Sequence, residues 1–86
     1  MNKKFYVYII QSKKNESLYI GETNDLSRRI YEHNNDLSGY TKHKSPCYLV
    51  WYCVFNYKHQ AELFEKYLKT GSGRAFVKKR LMNYPP

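Results

Sequence analysis

Cysteine and acid are both scarce in this chain, and each scarcity rules something out. Of 86 residues, two are cysteines and seven are Asp or Glu, set against fifteen Lys and Arg. Cys47 and Cys53 fall in what reads as a single strand, where a rise of roughly 3.3 Å per residue puts them about 20 Å apart, beyond disulfide reach. No histidine stands near them at finger spacing, so a zinc site is excluded as well. Buried thiols filling a core, in a reducing compartment, are the expected role. No apolar run approaches membrane-spanning length, and Met1-Asn2-Lys3-Lys4 is not followed by a signal-peptide core with a small-residue cleavage site. The expected location is therefore cytoplasmic, with no membrane partner. Internal repeats, linkers and low-complexity tracts are also missing.

What is present is basic and aromatic. The shortage of acids leaves a formal net charge of +8, which on so small a surface favours an anionic partner, nucleic acid first among them. The plain alternative is a soluble basic protein with no such partner. Aromatics make up 17% of the chain, ten of them tyrosines. The length allows one domain over residues 1–86 with one modest core.

The order of elements is legible from local pattern. Residues 5–10 are aromatic and β-branched and read as a strand. A polar turn over 12–16 leads to a second arm at 18–20, closed by Gly21, so that the two arms form a hairpin. Asn24 is the expected N-cap of a helix over 26–33, with Asp25 favourable against its dipole. Residues 34–46 read as a loop. The run 48–55 is apolar at nearly every position, which predicts a central strand covered on both faces. Apolar residues recur at helical spacing over 59–69. Gly71 ends that helix, and Ser72 or Gly73 begins another running to about Met82. The predicted class is α+β, a small three-stranded antiparallel sheet flanked by helices in the order β-β-α-β-α-α.

On the first helix, 100° per residue puts Leu26, Ile30 and His33 on one side with Arg29 near the same edge. Arg29 and His33, four residues apart, can meet beside the apolar stripe. Such a pair suits a site at the rim of a core, although a snorkelling arginine and a packing histidine would share this pattern. Tyr6 and Tyr8 share a face of the first strand. Tyr19 joins them only in one class of hairpin register, since a one-residue slip sends it to the other face. Tyrosines in strands more commonly serve as amphipathic core than as catalysts.

Their joint spacing says more. Tyr6-Val7-Tyr8, Tyr19-Ile20-Gly21, and the run from Tyr19 to Arg29 (YIGETNDLSRR), followed by His33, resemble the signature of the GIY-YIG nuclease superfamily. Tyr-Val-Tyr stands where Gly-Ile-Tyr is usual, and the last tyrosine is kept. Tyr40-Thr41-Lys42, the strand with Leu49-Val50, and the run 61–66 (AELFEK) are similar to the small standalone branch. The resemblance spans Tyr6 to about Lys79.

The resemblance implies a three-stranded antiparallel sheet flanked by helices and a DNA endonuclease that uses one divalent metal, Mg2+ or Mn2+. It implies Tyr8 and Tyr19 facing the scissile phosphate, with Tyr8 the first choice to help activate water. It implies Arg29 on the phosphate, His33 in proton relay, and Glu65 as the single carboxylate ligand of the metal. An exposed helix glutamate, with Glu62 pairing to Lys66, is the ordinary alternative for that region. The chemistry is coherent. Phosphodiester hydrolysis needs an activated water and neutralisation of charge on the phosphoryl oxygens. A guanidinium grips phosphate bidentately, and a hard cation held by one carboxylate and waters fits magnesium. A phenol of pKa about 10 is a poor base at neutral pH unless Arg29 or the metal favours phenolate, and His33 is intrinsically better. The choice between them stays open at this level. Two departures stand out. No asparagine occurs between Lys66 and Met82, where the family often has one, and Glu22 replaces the lysine of the excision-repair branch.

Substrate binding is expected from Lys42 and Lys44 in the loop and from Lys69, Ser72, Arg74, Lys78 and Lys79 toward the end. Residues 70–73 can offer backbone N–H groups to a phosphate, or be only a glycine C-cap followed by a serine N-cap. No major-groove recognition helix is evident, so selection by DNA shape (nicks, flaps, branches) is expected over sequence specificity, with room for a partner protein that adds it. The competing functions are a module of this fold that binds nucleic acid but cuts poorly, and an RNA- or ribosome-associated small basic protein.

Overall fold

The computed structural model describes residues 3–35 and 46–82. The elements run β1 (Phe5–Ser12), β2 (Leu18–Thr23), α1 (Leu26–Asn34), β3 (Cys47–Phe55), α2 (Lys58–Leu68) and α3 (Gly71–Phe76), which continues into a π-helical turn over Val77–Leu81. The three strands form one sheet in the order β2-β1-β3, and both pairings are antiparallel. This is the α+β architecture expected from the sequence.

The centre of the sheet differs from the expectation. β1 is the central strand, with Val7, Tyr8, Ile9 and Ile10 at most 1% exposed. The apolar run in β3 forms an edge strand, and Tyr48, Tyr52 and Val54 on it are exposed. Much of its apolar character is aromatic with a polar tip, and such side chains tolerate water on one face. Composition therefore overstated its burial, because strand order is set by which neighbours a strand pairs with.

β1 separates two layers. Val7 and Ile9 pack with Ala61, Leu68 and Val77 on the side of α2 and α3. Tyr8 and Ile10 pack with Cys47, Leu26 and Ile30 on the side of α1. A bulge in β3 shifts the pairing from Ile9↔Trp51 to Ile10↔Leu49. The extra residue lets Val50 and Trp51 both join the first cluster while Leu49 joins the second. Cys47 is buried and Cys53 half-buried.

Two helix caps fall one or two residues from where the sequence placed them. Asp25, not Asn24, caps α1: its carboxylate accepts the Arg28 N–H at 3.0 Å. Thr23 Oγ1 accepts the Asp25 N–H at 3.1 Å and braces the entry. Thr70, not Ser72, caps α3, its hydroxyl accepting the Gly73 N–H at 3.0 Å. Gly71 opens this helix. Gly73 is buried where α2 and α3 meet, and a Cβ there would run into the Tyr67 carbonyl and come within 2.6 Å of the Leu68 Cα.

Candidate active site

The hairpin register brings the two tyrosines together. Tyr8 pairs with Gly21 and Ile10 with Tyr19. Directly opposed residues share a face, so Tyr8 and Tyr19 lie on the same side as diagonal neighbours. Their ring centres are 6.2 Å apart. Only Asn24 separates Thr23, the end of β2, from Asp25, the cap of α1, and α1 lies over this face, where Leu26 and Ile30 pack with Tyr8.

His33 completes the cluster from the last turn of α1. It is fully buried. Its Nε2 lies 2.9 Å from the Tyr8 hydroxyl, and its ring meets the Tyr19 ring edge-on at 4.9 Å. The position is pinned from the next residue. The Asn34 amide accepts the Cys47 N–H at 2.6 Å and donates to the Cys47 carbonyl at 2.9 Å, fastening the end of α1 to β3.

Arg29 sits one turn earlier at the rim. Its Nη1 is 3.4 Å from Glu32 Oε1. Its Nε is buried and has no hydrogen-bond partner among the described residues. A buried guanidinium N–H left unpaired is costly and calls for an acceptor at that point. Glu65 lies on α2 as a half-buried carboxylate, 2.7 Å from Lys69 Nζ. The ammonium of Lys69 in turn lies 5.9 Å from the centre of the Tyr19 ring. The pairing of Glu62 with Lys66 read from helical spacing is not among the ion pairs of the described residues.

The electrostatics separate these groups. Burial pushes the Tyr8 hydroxyl well above the usual tyrosine value, Tyr19 adds to this, and Arg29 opposes it without reversing it. Tyr8 is therefore a neutral phenol at neutral pH. Burial, and then the Arg29 charge, lower His33 below the ordinary imidazole value, so it is neutral too and able to accept a proton. Glu22 is raised by burial, with Glu62 and Glu65 adding to this and Lys58 and Arg29 opposing it. Arg29 does draw Tyr8 toward phenolate, but the cost of desolvating the anion exceeds that attraction, so the condition set for a phenolate base is not met by Arg29 alone.

Among the described residues no group of three or more His, Cys, Asp or Glu side chains is gathered as a metal cage. Glu65 and Glu32 are both close enough to Tyr8 to raise its pKa, and Glu65 is the carboxylate that the sequence pattern singled out. A single carboxylate suits a hard divalent cation that keeps most of its waters. The partner lysine is about half exposed and free to swing away.

The remaining candidates divide. Lys42 and Lys44 lie outside the described residues. Lys69, Arg74 and Lys78 line one groove that also reaches Tyr19. Ser72 and Lys79 are exposed outside that groove. Two residues escaped the sequence reading. Glu32 holds Arg29, and its i, i+3 spacing was the available signal. Asn34 fastens α1 to β3 and carried no local signal.

Comparison with known proteins agrees with this fold. The chain is 45% identical over 65 residues to a UPF0213 protein of Clostridium perfringens, covering 74% of this chain and 69% of that one. It is 38% identical over 76 residues to a UPF0213 protein of Staphylococcus saprophyticus, covering 87% and 92% respectively. The solution NMR structure of a UPF0213 protein from Bacillus halodurans superposes with a TM-score of 0.55 at 30% identity, over 91% of this chain and 86% of that one. The family model for the GIY-YIG catalytic domain matches residues 4–80, and with nearly the whole chain inside that match, the protein belongs to the GIY-YIG family.

Proposed function

We propose that the protein is a metal-dependent DNA endonuclease that hydrolyses phosphodiester bonds and selects its substrate by structure, in DNA repair or recombination in the cytoplasm. The observation that carries the reading is the convergence of Tyr8, Tyr19 and His33 beside the buried Nε of Arg29, which has no hydrogen-bond partner among the described residues. A phosphate oxygen is the acceptor that such an N–H lacks, and a guanidinium can hold it through two parallel bonds.

In this reading the Tyr8–His33 pair moves a proton without ever forming a free phenolate. Tyr8 donates its O–H to the neutral Nε2 of His33, and the phenol oxygen takes a proton from the attacking water as its own passes on. Both groups start neutral, so neither must be ionised in a buried site. Arg29 holds the phosphate in line and offsets the charge that grows on its oxygens. Tyr19 packs against His33 and keeps its ring aimed at Tyr8. Glu65 would hold a magnesium or manganese ion, which supplies charge neutralisation at the phosphoryl and leaving oxygens when bound.

The test is a nicking assay with magnesium or manganese on linear, flapped and branched DNAs. Cleavage of the flapped or branched forms, abolished in Glu65→Ala, is the expected result. DNA binding without cleavage under every metal would replace the nuclease reading with that of a binding module.

A further inference from the structure

A groove of about 1000 Å³ runs along the outer edge of β2, between that strand and the end of the helical layer. Its floor is apolar: Leu18, Ile20, Val77 and Met82. Exposed Lys69, Arg74 and Lys78 make its rim cationic, and Tyr19, a member of the candidate active site, lines it too. Gln11 and Glu16 also line it, so three basic side chains share the groove with one acidic one.

The π-helical turn shapes this groove. Val77 begins the turn and is buried, while Lys78, the next residue, is exposed at the rim. Such wide turns occur often at functional sites. The volume lies at the top of the roughly 300–1,000 Å³ usual for small-ligand pockets, enough for a nucleobase with its sugar.

Apolar floor and cationic rim together narrow the occupant. A small inorganic anion would satisfy the rim and leave the floor in water. An apolar peptide would cover the floor and leave the cations unpaired. A DNA duplex presents phosphates, but its base faces are stacked on one another and cannot reach the floor. An unpaired strand offers phosphates and free base faces at once, and stacking one base on an aromatic or apolar platform is worth about 1–3 kcal/mol.

We propose that this groove holds an unpaired single-stranded segment of DNA, with a base against the apolar floor beside Tyr19 and its phosphates on Lys69, Arg74 and Lys78. The occupant's identity as DNA rests on the nuclease reading above. The groove thereby selects substrates in which single strand adjoins duplex at the scissile phosphate.

The test is a binding measurement with the full chain in EDTA, so that an absence of nicking leaves its result standing. Fluorescence anisotropy compares one duplex ending blunt with the same duplex carrying a single-stranded DNA tail. The tailed form is expected to bind at least tenfold tighter. Arg74→Ala/Lys78→Ala, both at exposed positions, is expected to lower tailed affinity tenfold or more and blunt affinity several-fold less. The slope of log affinity against log salt should fall by roughly 0.7 per cation removed on the single strand. A 5-iodouracil in the tail is expected to cross-link to Tyr19 or Met82. Equal affinity for the two duplexes, equal loss on both in the double variant, or cross-links confined to other residues would overturn the proposal. An RNA tail bound more tightly than the DNA tail would overturn its assignment to DNA.

Discussion

Gly21 lies directly opposite Tyr8 on the neighbouring strand, and the space its missing side chain leaves is filled by the Tyr8 phenol. A Cβ at Gly21 would stand 2.5 Å from the Tyr8 hydroxyl oxygen and 2.7 Å from Cζ. The third residue of the Tyr-Ile-Gly triplet is thus tied to the last residue of Tyr-Val-Tyr by packing, not by chain direction. Gly21→Ala should push the hydroxyl away from His33 and cost about 1–3 kcal/mol through overpacking. Urea denaturation checks the stability. Nicking should fall more than the lost stability explains.

Tyr8→Phe keeps the ring that packs beside His33 and removes the hydroxyl 2.9 Å from His33 Nε2. Nicking should fall by roughly 10²-fold or more, the range of a lost acid–base group, while DNA affinity measured in EDTA stays within twofold. An unchanged nicking rate would take the proton transfer away from Tyr8.

Arg29→Lys retains the charge but loses the planar fork and the Nε–H. Single-turnover cleavage should fall roughly 10²–10³-fold, comparable to losing a donor to a developing oxyanion. A loss under fivefold would mean that a point charge suffices.

Glu65→Gln removes a carboxylate whose lysine partner is about half exposed. The ion pair contributes at most about 0.5 kcal/mol after solvent screening, so thermal stability should barely change. Cleavage should be lost, and raising the magnesium concentration should restore little of it. A clear loss of fold would show that the carboxylate is structural.

His33 sets a pH dependence of stability. Its folded pKa is below the ordinary value of 6.5 because of burial and then Arg29, so below that value the unfolded chain takes up a proton more readily than the folded one. Stability from this group is full above about pH 6.5 and declines as pH falls through 6.5 toward the folded pKa. Urea midpoints from pH 8 to pH 5 should show this decline, and His33→Gln should flatten it.

Much of this was legible in the sequence because it depends on local pattern. The hairpin, the helix carrying Arg29 and His33, and the helix carrying Glu65 all follow from spacing within a few residues. The single face shared by Tyr8 and Tyr19 was legible only as a condition, since it needed one hairpin register of two. Asp25 and Thr70 displaced the predicted caps because a cap is decided by which side chain reaches the third N–H of its helix. The exposure of β3 could not be read at all. Its apolar run is compatible with a central or an edge strand, and only the pairing of β1 with both neighbours decides.

The sequence by itself determined the kinds of group available: phenols, an imidazole, a guanidinium and few acids on a basic chain, set at intervals that favour two strands and a helix. The tertiary structure decided which of them meet. It placed Gly21 behind Tyr8, left the Nε of Arg29 without a partner among the described residues, and made both members of the Tyr8–His33 pair neutral. The reason is physical. Chemical identity and local periodicity are properties of neighbouring residues, whereas register, burial and the charge state that burial imposes come from contacts between elements far apart in the chain.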